Sequence, residues 1–176
     1  MIVKYERTEY TPASEGLHQA VCVDVVDRGI QETQYGQKHK VQIAWQIEEI
    51  NPDTGKRQTI SKFYTVSLHE KASLRKDLET WRGRKFTEQE QAGFDLDKLL
   101  GVNCQIQVVH NIMDDGRVFG NVQAIVPIGK GMTALRAQDY VRFKDRDTKP
   151  QSGPRPVAAT GTGTDGAAAY DDDVPF

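Results

Sequence analysis

The stretch Lys40-Val-Gln-Ile-Ala-Trp-Gln-Ile-Glu-Glu49 decides the fold class. Its large apolar residues occupy every second position, and glutamine or alanine fills the positions between them. Successive side chains of a β-strand point to opposite faces of a sheet, so this spacing predicts a strand with one buried face. Trp45 lies on the apolar side of the pattern, where packing in the core is the favoured interpretation.

Four other segments have strand character. They cover residues 17–27, 58–66, 102–109 and 117–127. The polar segment 29–39 is predicted to be a loop, and the cluster 51–55 a turn. Asp114-Asp115-Gly116 predicts a hairpin, since glycine tolerates the positive φ that tight turns require. In the last segment one face is expected to carry Val118, Val122, Ala124 and Val126.

The pattern changes to a helical one between residues 67 and 81. Leu68, Leu74, Leu78 and Trp81 recur at helical spacing, with charged residues between them, which predicts an amphipathic helix that ends near Gly83. Trp81 is expected to pack in the core. Thr87-Glu-Gln-Glu90 is typical of a capping box at the start of a second helix.

The predicted order is therefore three strands, a helical insertion and two strands. This order favours a mainly β fold, a five-stranded OB-fold barrel with the helical insertion between strands 3 and 4. OB-folds commonly bind oligonucleotides. An open α+β sheet packed on the helices is the alternative.

The chain of 176 residues has a net charge of −2 and is predicted to have four parts. Residues 1–129 form the OB-fold domain. Residues 130–149 form a basic extension with Tyr140 and Phe143 among its cations, which either lengthens a DNA path or is a solvated edge strand or helix. Residues 150–170 are a linker rich in Gly, Pro, Thr and Ala, too poor in apolar residues to fold, and are expected to be disordered. Residues 171–176 are an acidic tip.

The tip ends Tyr170-Asp-Asp-Asp-Val-Pro-Phe176. This ending resembles the C-terminal tip of bacterial single-stranded-DNA-binding proteins, usually Asp-Asp-Asp-Ile-Pro-Phe, with Val174 in place of Ile. The likeness covers six residues and the general plan of domain, linker and tip. The body is more similar in layout to the OB-type proteins of this class that bacteriophages encode, without a diagnostic motif.

The resemblance implies that the tip docks on host or phage replication, recombination and repair proteins. Phe176 would fill an apolar pocket while its α-carboxylate meets a basic residue of the partner, and Pro175 and Val174 would support it. Asp171, Asp172 and Asp173 would address a basic rim. A carboxylate beside an aromatic ring at a free chain end is in any case suited to a basic, apolar pocket.

Binding of single-stranded DNA requires cations along the phosphates and aromatic faces for the bases. Phe119 lies on the polar side of its strand, where it either stacks on a base or packs under a loop. Phe63 and Tyr64 point to opposite faces, and the sequence does not say which is inside. The expected DNA-binding residues are Tyr35, Lys38, Lys40, Lys56, Arg57, Lys62, Tyr64, Arg117 and Phe119.

No phosphate-binding loop, G-x-S-x-G or H-E-x-x-H motif is present, so we expect no enzyme, no catalytic residues and no cofactor. Close ligand pairs are missing, so no metal site is expected. Two alternatives stay open: an adaptor that recruits host replication proteins without binding DNA, and a nuclease whose metal ligands are Asp24, Asp95 and Asp97.

The expected location is the cytoplasm of a bacterial host cell, because charges at Lys4, Glu6 and Arg7 interrupt any leader and no apolar run could span a membrane. Cys22 and Cys104 are expected to be buried thiols in a reducing compartment. A homo-oligomer stays open.

Overall fold

The computed structural model describes residues 11–146. The predicted linker, 150–170, and tip, 171–176, lie outside the described residues. The strands are β1 (Gly16–Thr33), β2 (Gly36–Ile50), β3 (Arg57–Thr65), β4 (Asn103–Ile112) and β5 (Val118–Pro127). The helices are α1 (Ser73–Arg82) and α2 (Glu88–Ala92), with 3-10 turns at Leu96–Leu99 and Phe143–Asp145.

The five strands form one antiparallel sheet in the order β3-β2-β1-β4-β5. The prediction of a mainly β fold with a helical insertion after the third strand is confirmed. The sheet bends so that its two edge strands approach each other: the Cδ1 atom of Ile60 on β3 lies 3.6 Å from the position that a Cβ at Gly120 on β5 would occupy.

The predicted loop at residues 29–39 is wrong. β1 and β2 continue as a paired hairpin through these residues, and the last pair, Thr33 with Gly36, leaves only Gln34 and Tyr35 in the turn. Both faces of this distal part are largely exposed, so the sequence has no reason to alternate and carries no strand signal. The backbone ladder alone defines the strands here.

The inner face of the sheet carries the main core. Trp45 is fully buried and its ring centroid lies 5.9 Å from that of Trp81 on α1, so both tryptophans pack in the core as predicted. α1 presents Leu74, Leu78 and Trp81 to the sheet and ends at Gly83, whose φ of 68° suits glycine. The helix begins at Ser73, later than the pattern indicated.

The insertion after α1 follows the sequence signals closely. Thr87 and Glu90 form the predicted capping box at the start of α2. Phe86 packs edge-on against Phe94, with ring centroids 5.2 Å apart. Cys22 and Cys104 are buried free thiols, as expected, and burial raises the pKa of Cys22 to about 12.

Register shifts change the faces that simple alternation assigns. In β1, Val23 and Arg28 occupy two bulges, so Val21 and Val23 lie on the outer face whereas Val25 packs against the inner core. In β5 a bulge opposite β4 brings Ile125 into the core. The predicted single-face stripe of Val118, Val122, Ala124 and Val126 is therefore wrong, because an extra residue inverts the alternation beyond it.

The described part of the basic extension, residues 130–146, is neither an edge strand nor a regular helix. It crosses the outer face of the sheet as an irregular segment, here called the strap. Gln46 bonds both the N–H and the C=O of Gln138, and Asn103 does the same for Leu135. These side chains satisfy backbone groups that have no secondary structure to pair with.

Among residues 11–146, no helix is both long enough and apolar enough to cross a bilayer.

Candidate nucleic-acid interface

The outer face of β1, β2 and β3 forms a groove beside the strap. Its floor is polar because the even-numbered residues of β2 and the odd-numbered residues of β3 point outward, which places Gln42 beside Phe63. The outer groove has a volume of ≈ 150 Å³, which is below the roughly 300–1,000 Å³ of pockets for drug-sized ligands, so it suits a single planar group. Its lining includes Asp24, Val26, Arg28, Gln42, Ser61, Tyr140, Phe143 and Arg146.

Arg28 lines the outer groove and is held there by hydrogen bonds. Its Nε donates to Oε1 of Gln42 at 3.0 Å, and the Gln42 amide in turn donates to the Ser61 hydroxyl at 2.7 Å. The guanidinium carbon lies 4.6 Å from the ring centroid of Phe143 and 5.9 Å from that of Phe63. Arg28 therefore has a fixed position between two aromatic rings.

The two rings are unusually accessible for phenylalanine. Phe63 is 50% exposed and Phe143 is 47% exposed. Exposed aromatic faces beside a guanidinium are the groups on which nucleobases stack. The positive charge of Arg28 also suits a phosphate, so the outer groove combines both requirements for binding a single strand.

Asp24 anchors the strap next to the outer groove. Its carboxylate is almost fully buried and accepts hydrogen bonds from the Phe143 N–H at 2.6 Å, the Tyr140 hydroxyl at 3.1 Å and Nε of Arg142 at 3.3 Å. Burial alone would raise the pKa of Asp24, but these three donors outweigh it and lower the pKa below its usual value. The ionised carboxylate thus fixes Phe143 in place.

Three predicted DNA-binding residues lie on the β1–β2 hairpin. Tyr35 is in the hairpin turn and is 54% exposed. Lys38 and Lys40 follow on β2, and the Lys40 ammonium donates to the Thr65 hydroxyl at 2.9 Å. Lys40 is two residues from Gln42 and therefore lies on the same face of β2. Lys38 and Lys40, here called the hairpin cations, thus continue from the outer groove along the hairpin.

The other exposed candidates lie elsewhere. Lys56 and Arg57 are at the β2–β3 turn, and Arg57 donates to the Arg136 carbonyl of the strap at 2.9 Å. Arg117 and Phe119 are on the β4–β5 hairpin, with the guanidinium carbon 5.6 Å from the ring centroid. Phe119 is 37% exposed, which is compatible with stacking. The nine candidates therefore do not form one cluster.

Tyr64 and Lys62 point to the inner side of β3. Tyr64 is 1% exposed, and its hydroxyl donates to Oδ2 of Asp77 on α1 at 2.8 Å. Lys62 pairs with the same carboxylate at 2.9 Å. The assignment of Tyr64 as a DNA-contacting residue is corrected, since its ring is enclosed by the core, and Lys62 is engaged with α1. Phe63 is the exposed member of the pair.

The sequence interpretation missed Arg28, Gln42 and Ser61 as site residues. Arg28 lay between the predicted strand, 17–27, and the predicted loop, 29–39, and only the bulge turns it toward Gln42. The alternation of residues 40–49 did place Gln42 on the polar face of its strand. Tyr140 and Phe143 were noted among the cations of the extension, but nothing in the sequence showed that this segment folds back onto β1.

The three carboxylates of the nuclease alternative have structural partners. Asp24 binds the strap, Arg142 also reaches Oδ1 of Asp97 at 3.3 Å, and Asp95 caps the 3-10 turn. Within residues 11–146, no group of three or more His, Cys, Asp or Glu side chains is arranged to hold a metal ion.

Comparison of the chain with protein-family models and with curated proteins finds no match to either.

Proposed function

We propose that this protein binds single-stranded DNA in the outer groove and recruits replication, recombination and repair proteins through its acidic tip. The observation that carries the proposal is the position of Arg28 between the exposed rings of Phe63 and Phe143. Stacking on aromatic faces accepts any base, so the binding is expected to have little sequence preference.

The strand order supports an OB-type barrel as the finer description of the fold. In that fold five strands curl into a partly open Greek-key barrel whose ligands lie across the second and third strands. Here the exposed aromatic and polar side chains lie on the outer faces of β2 and β3, and α1 lies between β3 and β4. The approach of Ile60 to Gly120 is consistent with closure between β3 and β5.

The hairpin cations extend the proposed path beyond the outer groove. Lys38, Lys40 and Tyr35 follow one another toward the hairpin turn. A strand that stacks on Phe63 would bring its next phosphates to these lysines. Phe119 and Arg117 are a second place where a base could stack, at the β4–β5 hairpin.

A mobility-shift titration with a labelled oligonucleotide, with and without magnesium, tests the proposal. Binding without cleavage under both conditions is the expected result. The absence of a shift would favour an adaptor that only recruits proteins, and loss of the oligonucleotide with magnesium alone would favour a nuclease. Phe63→Ala should weaken binding of the oligonucleotide. Asp145→Asn is the control variant and should leave binding unchanged.

A further inference from the structure

The polar side chains of the outer groove form a hydrogen-bond chain with a fixed direction. Arg28 has only N–H donors, so its bonds to Gln42, from Nε at 3.0 Å and from Nη2, both end on the amide oxygen. This fixes the orientation of the Gln42 amide, whose Nε2 donates to the Ser61 hydroxyl oxygen at 2.7 Å. Because that oxygen accepts, the hydroxyl hydrogen of Ser61 points away from Gln42. The chain therefore ends on an O–H donor that has no acceptor among residues 11–146.

The charged groups that remain open in the outer groove are donors as well. In the described part of the chain, Nη1 of Arg28 has no hydrogen-bond partner. Arg146 on the strap adds a second guanidinium to the lining. Asp24, the carboxylate of the described lining, is 1% exposed and already accepts three hydrogen bonds. A group that enters the outer groove therefore meets mainly hydrogen-bond donors.

The two open donors lie beside an exposed aromatic ring. Ser61 and Phe63 are two residues apart on the outer face of β3, which corresponds to ~7 Å along a strand. The guanidinium carbon of Arg28 lies 5.9 Å from the ring centroid of Phe63. A base that stacks on Phe63 would therefore bring its edge within reach of both donors, so that the hydrogen-bonding pattern of this edge matters in addition to the aromatic face.

Donors distinguish the bases by their exocyclic groups. Guanine and thymine carry carbonyl oxygens, which accept hydrogen bonds, and the O6 and N7 atoms of guanine form the acceptor pair that arginine binds most often. Adenine has no carbonyl oxygen and carries an amino group where guanine has O6. An amino group opposite Arg28 or Ser61 would leave donors without acceptors, which costs binding free energy. The outer groove therefore suits a base with a carbonyl oxygen better than it suits adenine.

We propose that the outer groove prefers, at one nucleotide of the bound strand, a base with a carbonyl oxygen over adenine. Arg28 and Ser61 are the specificity-determining residues, and Gln42 is the positioning residue that sets the direction of the Ser61 hydroxyl. The inference rests on the proposed function and deepens it. Strands of any sequence still bind by stacking, whereas this one position sets the register in which a mixed sequence lies on the protein.

The test compares two labelled oligonucleotides by fluorescence anisotropy with the full chain. The first is the shortest oligoadenylate that binds, and the second is the same strand with one central inosine, whose base carries a carbonyl oxygen in place of the adenine amino group. The quantity measured is the ratio of the two affinities. The wild type should bind the inosine strand about threefold to tenfold more tightly, which corresponds to one net hydrogen bond.

Two variants test the direction of the hydrogen-bond chain. Ser61→Ala removes the donor and should lower the affinity ratio to less than about twofold. In Gln42→Glu the carboxylate accepts from Arg28 and from Ser61 alike, so the Ser61 hydrogen turns toward it and the base meets an acceptor. The ratio should then fall to about one or below, even though the added negative charge weakens binding of both strands. The matched control, Ser73→Ala on α1, lies outside the groove and should keep the wild-type ratio.

The outcomes separate this inference from the proposed function. If the wild type binds both strands with equal affinity, the base preference fails and DNA binding stands. If Ser61→Ala weakens both strands equally and keeps their ratio, a phosphate and not a base occupies the outer groove, which would also overturn the inference. A wild-type ratio in Gln42→Glu would contradict the role of the hydrogen-bond chain. If the wild type binds neither strand nor any other oligonucleotide, the proposed function itself fails.

Discussion

The inner and outer faces of the sheet are held together by different interactions. The inner face packs Trp45, Ile47 and Leu78 into one continuous apolar cluster. The outer face has only a small apolar cluster, Val21, Val23 and Ala44, and depends on hydrogen bonds from Asp24, Gln46 and Asn103 to a strap that has little regular structure. The same five strands thus support a dry core on one side and a polar, accessible surface on the other.

The difference explains how so small a domain can offer the DNA-binding surface that we propose. A residue of the inner face stabilises the fold because it is buried away from water, so it is not accessible to DNA. On the outer face the strap covers part of the sheet and leaves Phe63 and Phe143 half-exposed beside Arg28. The hydrogen bonds between the strap and the sheet determine which part of the outer face the strap covers.

The largest expected effect is on the inner face. Leu78→Ala should lower the free energy of unfolding by about 2–5 kcal/mol, because a fully buried leucine leaves a cavity. Urea denaturation measures the loss. The matched control, Leu135→Ala, removes a partly buried leucine that packs on the outer cluster and should lose clearly less. An equal loss of unfolding free energy at both positions would contradict the difference in packing between the two faces.

Asp24→Asn tests the polar attachment of the strap. Loss of the charge-assisted hydrogen bonds should lower the free energy of unfolding by about 2–3 kcal/mol at pH 7. Asp145→Asn, an exposed carboxylate of the same strap, should change it little. If Asp24→Asn is as stable as Asp145→Asn, the buried network does not hold the strap.

The same pair predicts a pH dependence. The pKa of Asp24 is lower in the folded chain than in the unfolded one, so the ionised carboxylate stabilises the fold above about pH 4. That contribution is lost as the pH falls through the folded pKa. The stability difference between wild type and Asp24→Asn should therefore shrink on acidification from pH 6 to pH 3. A difference that is constant over this range would contradict the assignment.

Two neighbouring residues give the sharpest test of the faces. Phe63→Ala should weaken binding of single-stranded DNA by about 1–3 kcal/mol with little change in stability, because the ring is exposed and available for stacking. Tyr64→Phe should lower stability by about 1 kcal/mol, through loss of the bond to Asp77, and leave DNA affinity unchanged. Oligonucleotide titration and urea denaturation of both chains measure these effects. The assignment of the two faces would be contradicted if Phe63→Ala lowered stability and Tyr64→Phe weakened DNA binding.

The smallest expected effect concerns the hairpin cations. If Lys38 contacts a phosphate, Lys38→Met should reduce the slope of log K against log salt by roughly 0.7. The exposed Lys71 lies on the segment before α1, and Lys71→Met should leave the slope unchanged. An unchanged slope for both chains would exclude Lys38 from the DNA path.

The inner face could be predicted from the sequence because burial leaves a periodic pattern. Residues 40–49 alternate without interruption, and Leu74, Leu78 and Trp81 keep helical spacing, so strand, helix and both tryptophans were assigned correctly. The Thr87–Glu90 capping box was equally clear, since it depends on local hydrogen bonds only.

The outer face could not be predicted in the same way. The distal hairpin has no buried face, so its strands left no alternation. Bulges at Val23 and Arg28 invert the faces without a strong local signal. The strap is held by contacts over long sequence separations, such as that between Asp24 and Phe143, and a single sequence does not reveal them.

The central claim is that single-stranded DNA lies on the outer face of β1–β3. Ultraviolet cross-linking of the full chain to an oligothymidylate, followed by mass spectrometry of the peptides, tests it most directly. The account predicts cross-links at Phe63 or Phe143. Cross-links confined to the β4–β5 hairpin around Phe119, or none at a concentration where the oligonucleotide is bound, would contradict it.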